Sequence, residues 1–137
     1  MSIPDTRNYV TYWDIAFSVM NGKWKSLIIT LIHHGINRPG ALQKKLPGIT
    51  RKVLTRDLKE LESHRIVKKK VFAELPLRVE YSLTPHGRTI LPVLESLARW
   101  GMGHIKVLRS KNIVVVRKRL SDISTTHRKS LRTLKNM

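Results

Sequence analysis

The sequence has 137 residues, of which 41% are hydrophobic, so it can bury the core of one domain. It contains no cysteine, which excludes disulfides, thiolate nucleophiles, cysteine-ligated zinc and iron–sulfur clusters. Lys and Arg number 27 against 9 Asp and Glu, and the resulting formal net charge of +18 concentrates polyanions around the protein. This charge indicates a nucleic-acid partner, with an anionic membrane surface as the lesser alternative.

Two helices are predicted at the start of the chain. Apolar residues recur at helical spacing between Tyr12 and Met20, and Asn21-Gly22 ends this first helix. The segment GKWKSLIITLIHHG, residues 22–35, carries an amphipathic pattern that predicts a second helix ending at Gly35. Its apolar stripe consists of Trp24, Leu27, Ile28, Leu31 and Ile32.

The next segment has the pattern of two short helices joined by a tight turn. ALQKKL, residues 41–46, predicts a helix of barely two turns that Pro47-Gly48 ends. Thr50 is placed to cap the following helix, in which Leu54, Leu58 and Leu61 form one buried stripe opposite a basic face. This is typical of a helix-turn-helix. Taken alone, it also fits an ordinary surface helix that exposes Lys and Arg.

A β-hairpin is predicted after the basic helix. IVKKKVFAELPLRVEYSL, residues 66–83, indicates two strands around an ELPL turn, and the second strand alternates Val79, Tyr81 and Leu83 inward with Arg78, Glu80 and Ser82 outward. A hairpin in this position is a wing. Thr84-Pro85 then predicts the start of one long helix, in which Pro92 should bend the axis or remove an early hydrogen bond. The predicted fold is mainly α with a small β-hairpin wing.

The positive charge divides the chain into two parts. Residues 1–103 carry 17 basic and 8 acidic side chains and residues 104–137 carry 10 and 1, so each part has a net charge of +9. We therefore expect a domain over 1–103 and a basic C-terminal extension over 104–137, partly helical and frayed from Ile123 onward. Within the extension, NIVVVRKRL, residues 112–120, is strand-like by propensity alone.

Four blocks of the sequence together resemble the HxlR-type, or MarR-like, winged-helix transcriptional regulators. They are GKW at 22–24, LPGITRKVLTRDLKELE at 46–62, ELPLRVEYSLTPHG at 74–87 and LPVLESLARWG at 91–101. The resemblance covers roughly residues 12–102 in the family's order. It implies a winged helix-turn-helix over 1–103 that dimerises through its N- and C-terminal helices. It also implies that this cytoplasmic homodimer binds a palindromic operator in double-stranded DNA.

Three features depart from the family pattern. The cysteine that many members carry before the first helix aligns with about Val10 here, so thiol-based sensing is not expected. The start of the first helix of the helix-turn-helix reads Arg38-Pro39-Gly40-Ala41-Leu42, which predicts a weaker N-cap and a small strand that is lost or shortened. The basic extension is longer and more cationic than the resemblance accounts for, and its role is inferred from charge alone.

The candidate DNA-binding residues follow from the helical wheel and from the resemblance. Arg51 and Arg56 are expected to read bases, because arginine makes bidentate contacts to guanine, and Lys52 and Lys59 are expected to contact phosphates. Thr50 is expected near a phosphate at the helix N-terminus. Further lysines are expected to attract phosphates non-specifically. The full candidate set is Thr50, Arg51, Lys52, Thr55, Arg56, Lys59 and Arg78, and the additional lysines are Lys44, Lys45, Lys68, Lys69 and Lys70.

Arg78 has two interpretations. It matches the family's wing arginine, which would reach the DNA backbone or an adjacent minor groove. The alternative is a cross-strand ion pair with Glu80 or Glu74.

No catalytic or metal-binding pattern accompanies these residues. The six histidines lack ligand spacing, and the nine acidic residues show no arrangement that acid–base catalysis requires. We therefore expect no metal, no cofactor and no enzymatic activity. The aromatic residues Trp13, Trp24, Tyr81 and Trp100 fall in apolar registers, so we interpret them as core or dimer-interface residues rather than base-stacking ones.

The function predicted from the sequence is a sequence-specific, double-stranded-DNA-binding transcriptional regulator. The alternatives are a non-specific DNA-coating or architectural protein and an RNA-binding module. The sequence lacks the pattern of a signal peptide at its start and an apolar run long enough to span a membrane, so we expect a cytoplasmic, nucleoid-associated protein without membrane contact.

Overall fold

The computed structural model describes residues 8–108, which divide into two compact units after Arg88. The first unit contains five helices and a hairpin, and the second contains one long helix within the described range. The elements are α1 (Tyr12–Met20), α2 (Lys25–His33), α3 (Pro39–Lys45), α4 (Arg51–Ser63), β1 (Val67–Phe72), β2 (Arg78–Leu83), α5 (Pro85–Arg88) and α6 (Leu91–Leu108).

The core of the first unit is built on the predicted apolar stripes of α2 and α4. Ile28, Leu31 and Leu61 are fully buried, and Leu54 and Leu58 are 2% exposed. Burying such a side chain completely stabilises the fold by about 1.5–3 kcal/mol, so these stripes fix which side of each helix faces outward. The remaining side of α4 is therefore available to solvent.

The turn between α3 and α4 has the predicted chemistry. Gly48 adopts a φ of +88°, a conformation that favours glycine, and Ile49 returns to the core. Thr50 then caps α4, because its hydroxyl oxygen accepts a hydrogen bond from the Val53 amide at 3.1 Å. The predicted cap is confirmed. By contrast, the N-cap of α3, Arg38, makes no side-chain capping bond, as its sequence predicts.

The hairpin is antiparallel, with Val67 opposite Leu83 and Phe72 opposite Arg78. On the second strand Tyr81 and Leu83 are buried and Ser82 between them is exposed, as predicted, whereas Val79 is only half-buried, like Arg78 and Glu80. The sheet has two strands within residues 8–108. The family's small strand, predicted to be lost or shortened, is absent from this sheet, and one hydrogen bond from the Tyr81 amide to the Asn37 carbonyl at 2.9 Å lies beside the second strand. The winged helix-turn-helix fold is confirmed.

The prediction of one long helix after Thr84 is wrong. Helix α5 ends at Arg88, Thr89 and Ile90 form a turn, and α6 begins at Leu91. Pro92 explains the break, because its ring has no N–H and would clash with the carbonyl of Arg88 in a continuous helix. Proline is tolerated in the first turn of a helix, which is where α6 places it.

Helix α6 continues through Gly101 and Gly103 to Leu108, so the predicted domain boundary at residue 103 falls inside a helix. The separate role of 104–137 stays a prediction, and its part beyond 108 lies outside the described residues. The ring of Trp100 stacks on that of His104 with centroids 4.8 Å apart. Across residues 8–108, each helix is too short or too polar to span a membrane.

Candidate nucleic-acid interface

One face of α4 brings together the predicted DNA-binding residues of that helix. The side chains point away from the buried leucine stripe and are exposed. They are Thr50, Arg51, Lys52, Thr55, Arg56 and Lys59. All of them except Thr50 line one shallow surface, which they share with Glu60. We call this surface the basic face of α4.

The first turn of α4 carries positive charge where a helix disfavours it. Arg51 and Lys52 occupy the first two positions, and the turn contains no acidic residue. The N-terminal end of a helix carries about half a positive elementary charge, which favours anions there. A phosphate at this end would be attracted by the backbone amides and both side chains. The arrangement is therefore suited to an anionic ligand.

Arg56 is oriented by its neighbour in the sequence. Its Nε and Nη2 atoms both lie 3.3 Å from Oδ1 of Asp57, which is 4% exposed. The arginine side chain itself remains 62% exposed. Because both contacts converge on one carboxylate oxygen, the Nη1 edge of the guanidinium stays available for a further partner.

Arg78 lies in a cluster on the outer face of the wing. Its Nη2 donates to Glu74 Oε1 at 3.0 Å, its Nη1 lies 3.6 Å from Glu80 Oε1, and its guanidinium stacks 3.8 Å from the Phe72 ring centroid. Arg38 extends the cluster through Glu80 at 3.3 Å. Arg78 thus forms ion pairs with both predicted carboxylates in the chain without DNA, but neither pair is cross-strand, because Glu80 lies on β2 itself and Glu74 lies between the strands. Its Nε is buried and has no hydrogen-bond partner within the described structure.

The additional lysines lie on two elements. At the end of α3 Lys44 is exposed and Lys45 is half-buried, and Lys68, Lys69 and Lys70 are exposed along β1. Lys70 Nζ lies 4.9 Å from the Phe72 ring centroid, so it shares this ring with Arg78. Exposed positive charge thus occurs at the end of α3 and along β1 as well as on α4.

Two buried charged residues were missed by the sequence analysis. Lys25 is 5% exposed and Asp57 is 4% exposed. The spacing contained a signal for both, because Lys25 precedes the buried Ile28 by three positions and Asp57 follows Leu54 by three. Positions three apart share a helix face, so each charge lies on an otherwise apolar stripe.

Lys25 and its partners also influence a nearby histidine at the end of α4. The pKa of His64 is lowered, first by partial burial and then by the positive charge of Lys25, while the Glu60 carboxylate acts in the opposite direction. The neutral form of His64 is therefore favoured in the folded chain.

The aromatic residues that were predicted to lie in the core or in a dimer interface differ in how much of each side chain is exposed. Tyr81 is 8% exposed and belongs to the core, whereas Trp13 and Trp100 are 73% and 69% exposed. Trp24 is half-buried under Lys23, whose Nζ lies 4.7 Å from its ring centroid. Residues 8–108 contain no group of three or more His, Asp or Glu side chains arranged to hold a metal ion.

The fold and the basic face define a class of protein, the helix-turn-helix transcriptional regulators with a wing. The family model of HxlR-like helix-turn-helix proteins matches residues 19–109. The chain belongs to this family, and the resemblance noted in the sequence is confirmed. It is a transcriptional regulator of the helix-turn-helix type.

Individual relatives agree with this assignment. The chain is 39% identical over 93 residues to an HTH-type transcriptional regulator of Methanothermobacter thermautotrophicus, covering 68% of this chain and 71% of the relative. It is 35% identical over 101 residues to the regulator YtcD of Bacillus subtilis, covering 74% and 80%. Both relatives are transcriptional regulators, a class without enzymatic activity.

Solved structures show the same fold. The structure of the HTH-type regulator YtcD superimposes with a TM-score of 0.66 at 35% identity, covering 71% of this chain and 99% of that one. A MarR-family regulator from Enterococcus faecalis V583 gives a TM-score of 0.63 at 38% identity, covering 74% and 97%.

Proposed function

We propose that the protein is a sequence-specific regulator that binds a palindromic operator in double-stranded DNA as a homodimer. The observation that carries this proposal is the basic face of α4, which lies opposite a buried leucine stripe within a helix-turn-helix. The major groove of B-DNA admits a helix, and its phosphates supply the charge that a +18 chain attracts. The site of action would be the nucleoid in the cytoplasm, and the function requires no cofactor.

Different residues of the basic face serve different roles in this proposal. Arg56 and Arg51 read base edges, and Lys52 and Lys59 contact phosphates. Thr50 and Thr55 also contact the DNA. The contact between Arg56 and Asp57 supports the role of Arg56, because a guanidinium already held by one carboxylate loses less conformational freedom when it binds a base.

Arg78 would reach the DNA backbone or an adjacent minor groove from the wing. To do so it exchanges its contact with Glu74 for a phosphate. The Glu74 side chain is 56% exposed, so this exchange leaves no buried carboxylate without a partner. Glu80 is also paired with Arg38, so its carboxylate keeps a cationic partner when Arg78 binds DNA.

The homodimer is supported by apolar side chains that the single chain leaves exposed. On α1, Tyr12 is 94% exposed, Trp13 73% and Phe17 53%. On α6, Val93, Leu97 and Trp100 are also exposed. Aromatic residues in this number are typical of a protein interface, and the family resemblance assigns dimerisation to these two helices.

Selection from a pool of random duplexes at about 0.15 M salt, followed by footprinting, tests the proposed function. The expected result is one enriched motif with two inverted half-sites, whose centres lie about one helical turn or a multiple of it apart. Sedimentation equilibrium of the free protein should give twice the chain mass. Equal retention of all sequences would contradict the proposal.

A non-specific architectural function is the second candidate, and the net charge of +18 favours it. Such a protein would bind enriched and scrambled duplexes equally, with a steep linear decrease of log affinity with log salt. A specific regulator would instead keep a large affinity ratio between the two duplexes as salt increases. Preference for RNA over both duplexes would favour the RNA-binding alternative.

A further inference from the structure

The ammonium group of Lys25 is buried between α1, α2 and α4. It lies at the start of α2 and is 5% exposed. Its Nζ donates to the Ser18 carbonyl of α1 at 3.0 Å and to Asn21 Oδ1 at 3.3 Å, and it forms an ion pair with Glu60 of α4. An ammonium group has three N–H donors, and here each of them has an acceptor.

These contacts attach the end of α1 to the rest of the first unit. Carbonyl groups in the last turn of a helix have no partner within the helix, and a cation is favourable there. Lys25 supplies such a cation to Ser18, and the Ser26 hydroxyl donates to the Met20 carbonyl at 3.3 Å. Helix α1 itself has no fully buried residue. Polar contacts therefore contribute much of what holds this helix in place.

The same ammonium group holds the DNA-facing helix. Glu60 belongs to the surface formed by the basic face of α4, although its side chain is only 45% exposed. A single buried charge thus connects the helix with the exposed aromatic residues to the helix with the basic face. Removing it leaves Glu60 without its ion-pair partner and the Ser18 carbonyl of α1 without its cation.

We propose that Lys25 is a positioning residue, which fixes the orientation of α4 relative to α1 and thereby the half-site spacing that the dimer recognises. This inference rests on the proposed function, in which α1 contributes to the dimer interface and α4 binds DNA. In a two-fold symmetric dimer, a small rotation of α4 relative to α1 occurs in both subunits, and the symmetry turns the two copies of α4 in opposite directions. The rotation therefore changes the distance between the two copies of α4.

The test measures affinity for a series of operators whose half-site spacing increases by one base pair at a time. The variant is Lys25→Met, which removes the ammonium group but keeps an unbranched chain of similar length. The matched control is Lys23→Met, which loses the same formal charge from an exposed side chain two positions away. Both are compared with the wild-type full chain by fluorescence anisotropy.

We expect wild type and Lys23→Met to share one sharp optimum of spacing. Lys25→Met should lose about tenfold in the ratio between optimal and neighbouring spacings, which is the scale of coupling effects between packed elements. An unchanged ratio in Lys25→Met would overturn the proposal while leaving the proposed function intact. A wild type with no preferred spacing would instead contradict the proposed dimer–operator function.

Chemical rescue separates positioning from general loss of structure. Because the chain has no cysteine, Lys25→Cys introduces a unique thiol, and aminoethylation of the unfolded variant followed by refolding restores an ammonium group at nearly the lysine length. The modified protein should regain the sharp optimum that the unmodified variant lacks. Failure to regain it in a folded dimer would overturn the proposal.

Glu60→Gln provides a second route if Lys25→Met does not fold. Glu60 is partly exposed, so this change neutralises the carboxylate at a position that tolerates substitution. A broader spacing optimum is the expected result. An optimum as sharp as that of the wild type would overturn the proposal. A uniform change in affinity at all spacings is such a result, because it reflects only the altered charge near DNA.

Discussion

Arg56 donates two hydrogen bonds to the carboxylate of Asp57, its neighbour on α4, although the two side chains belong to opposite environments. The arginine is 62% exposed on the basic face, whereas the aspartate side chain is 6% exposed beside the leucine stripe. The pair therefore joins the core of the domain to its proposed DNA-binding surface. A substitution of Arg56 has consequences for both.

Arg56→Ala should weaken binding to the selected operator more than binding to scrambled DNA. Loss of a bidentate contact to a base costs about 1–3 kcal/mol of discrimination, and this loss appears only at the correct sequence. Fluorescence anisotropy with the two duplexes at the same salt concentration measures the difference. Lys59→Ala is the control, since loss of a phosphate contact should weaken both complexes by a similar factor.

Stability must be followed in the same variants. Arg56→Ala leaves a nearly buried carboxylate without its arginine, so the free energy of unfolding should fall by about 1–3 kcal/mol. Lys59→Ala should change it by less than about 0.5 kcal/mol, as is usual for an exposed position. If the two variants alter operator and scrambled binding in the same ratio, the proposed division between base reading and phosphate contact is wrong.

Thr50→Ala should destabilise the protein by about 1 kcal/mol. The substitution removes the hydroxyl that accepts from the Val53 amide at 3.1 Å, and the first turn of α4 then lacks its side-chain cap. Urea unfolding of the free protein measures this effect without DNA. Thr50→Ser keeps the hydroxyl and should retain most of the stability, and equal destabilisation by both changes would argue against the capping role.

The sequence predicted those parts of the fold in which a periodic apolar stripe meets a strong turn signal. Leu54, Leu58 and Leu61 determined the buried side of α4, and Pro47-Gly48 and Thr50 determined where the helix begins. The strand alternation around Tyr81 identified the wing in the same way. In each case local propensity and burial favour the same conformation.

The sequence predictions were wrong or incomplete where a single residue departed from the apolar periodicity around it. Apolar periodicity continued through Ile90 and Leu91, but Pro92 prevents a continuous helix there. The burial of Lys25 and Asp57 was not predicted, because residues of these types are usually exposed. Spacing places each of them on an apolar stripe, but it does not reveal the partners that allow a charge to be buried there, Glu60 for Lys25 and Arg56 for Asp57.

Gly87→Ala should destabilise the protein by about 2–3 kcal/mol, because an added Cβ would overlap the backbone carbonyl of Ile66. Backbone cannot move aside as a flexible side chain does, and the Gly87 amide is also bonded to the Thr84 hydroxyl at 2.8 Å. Gly40→Ala is the matched control. No atom outside its own helix and chain neighbours lies within 4 Å of the Cβ position at Gly40, so alanine should be neutral or stabilising by up to about 1 kcal/mol.

Thermal and urea unfolding of the two glycine variants give the comparison directly. Similar losses in both would mean that glycine at position 87 is not required by the close approach to Ile66. A large loss confined to Gly87→Ala would show that the contact between α5 and Ile66, the residue before β1, constrains the chain at this position.

The stability of the protein should decrease as the pH falls below neutrality. In the folded chain the pKa of His64 is lowered by burial and by Lys25, and that of His34 is lowered by burial and by His33. In the unfolded chain both return to about 6.5. Below this pH the unfolded chain binds protons that the folded chain does not, so the free energy of unfolding falls until the pH passes the folded pKa values.

Urea unfolding between about pH 8 and about pH 5 should therefore show a positive slope of stability with pH, which His64→Gln and His34→Gln each reduce. The double variant should have the smallest slope of the four proteins. In Lys25→Met, the slope attributable to His64 should also decrease, since one of the causes of its lowered pKa is removed. A His64→Gln variant with the full wild-type slope would show that this histidine does not contribute to the pH dependence.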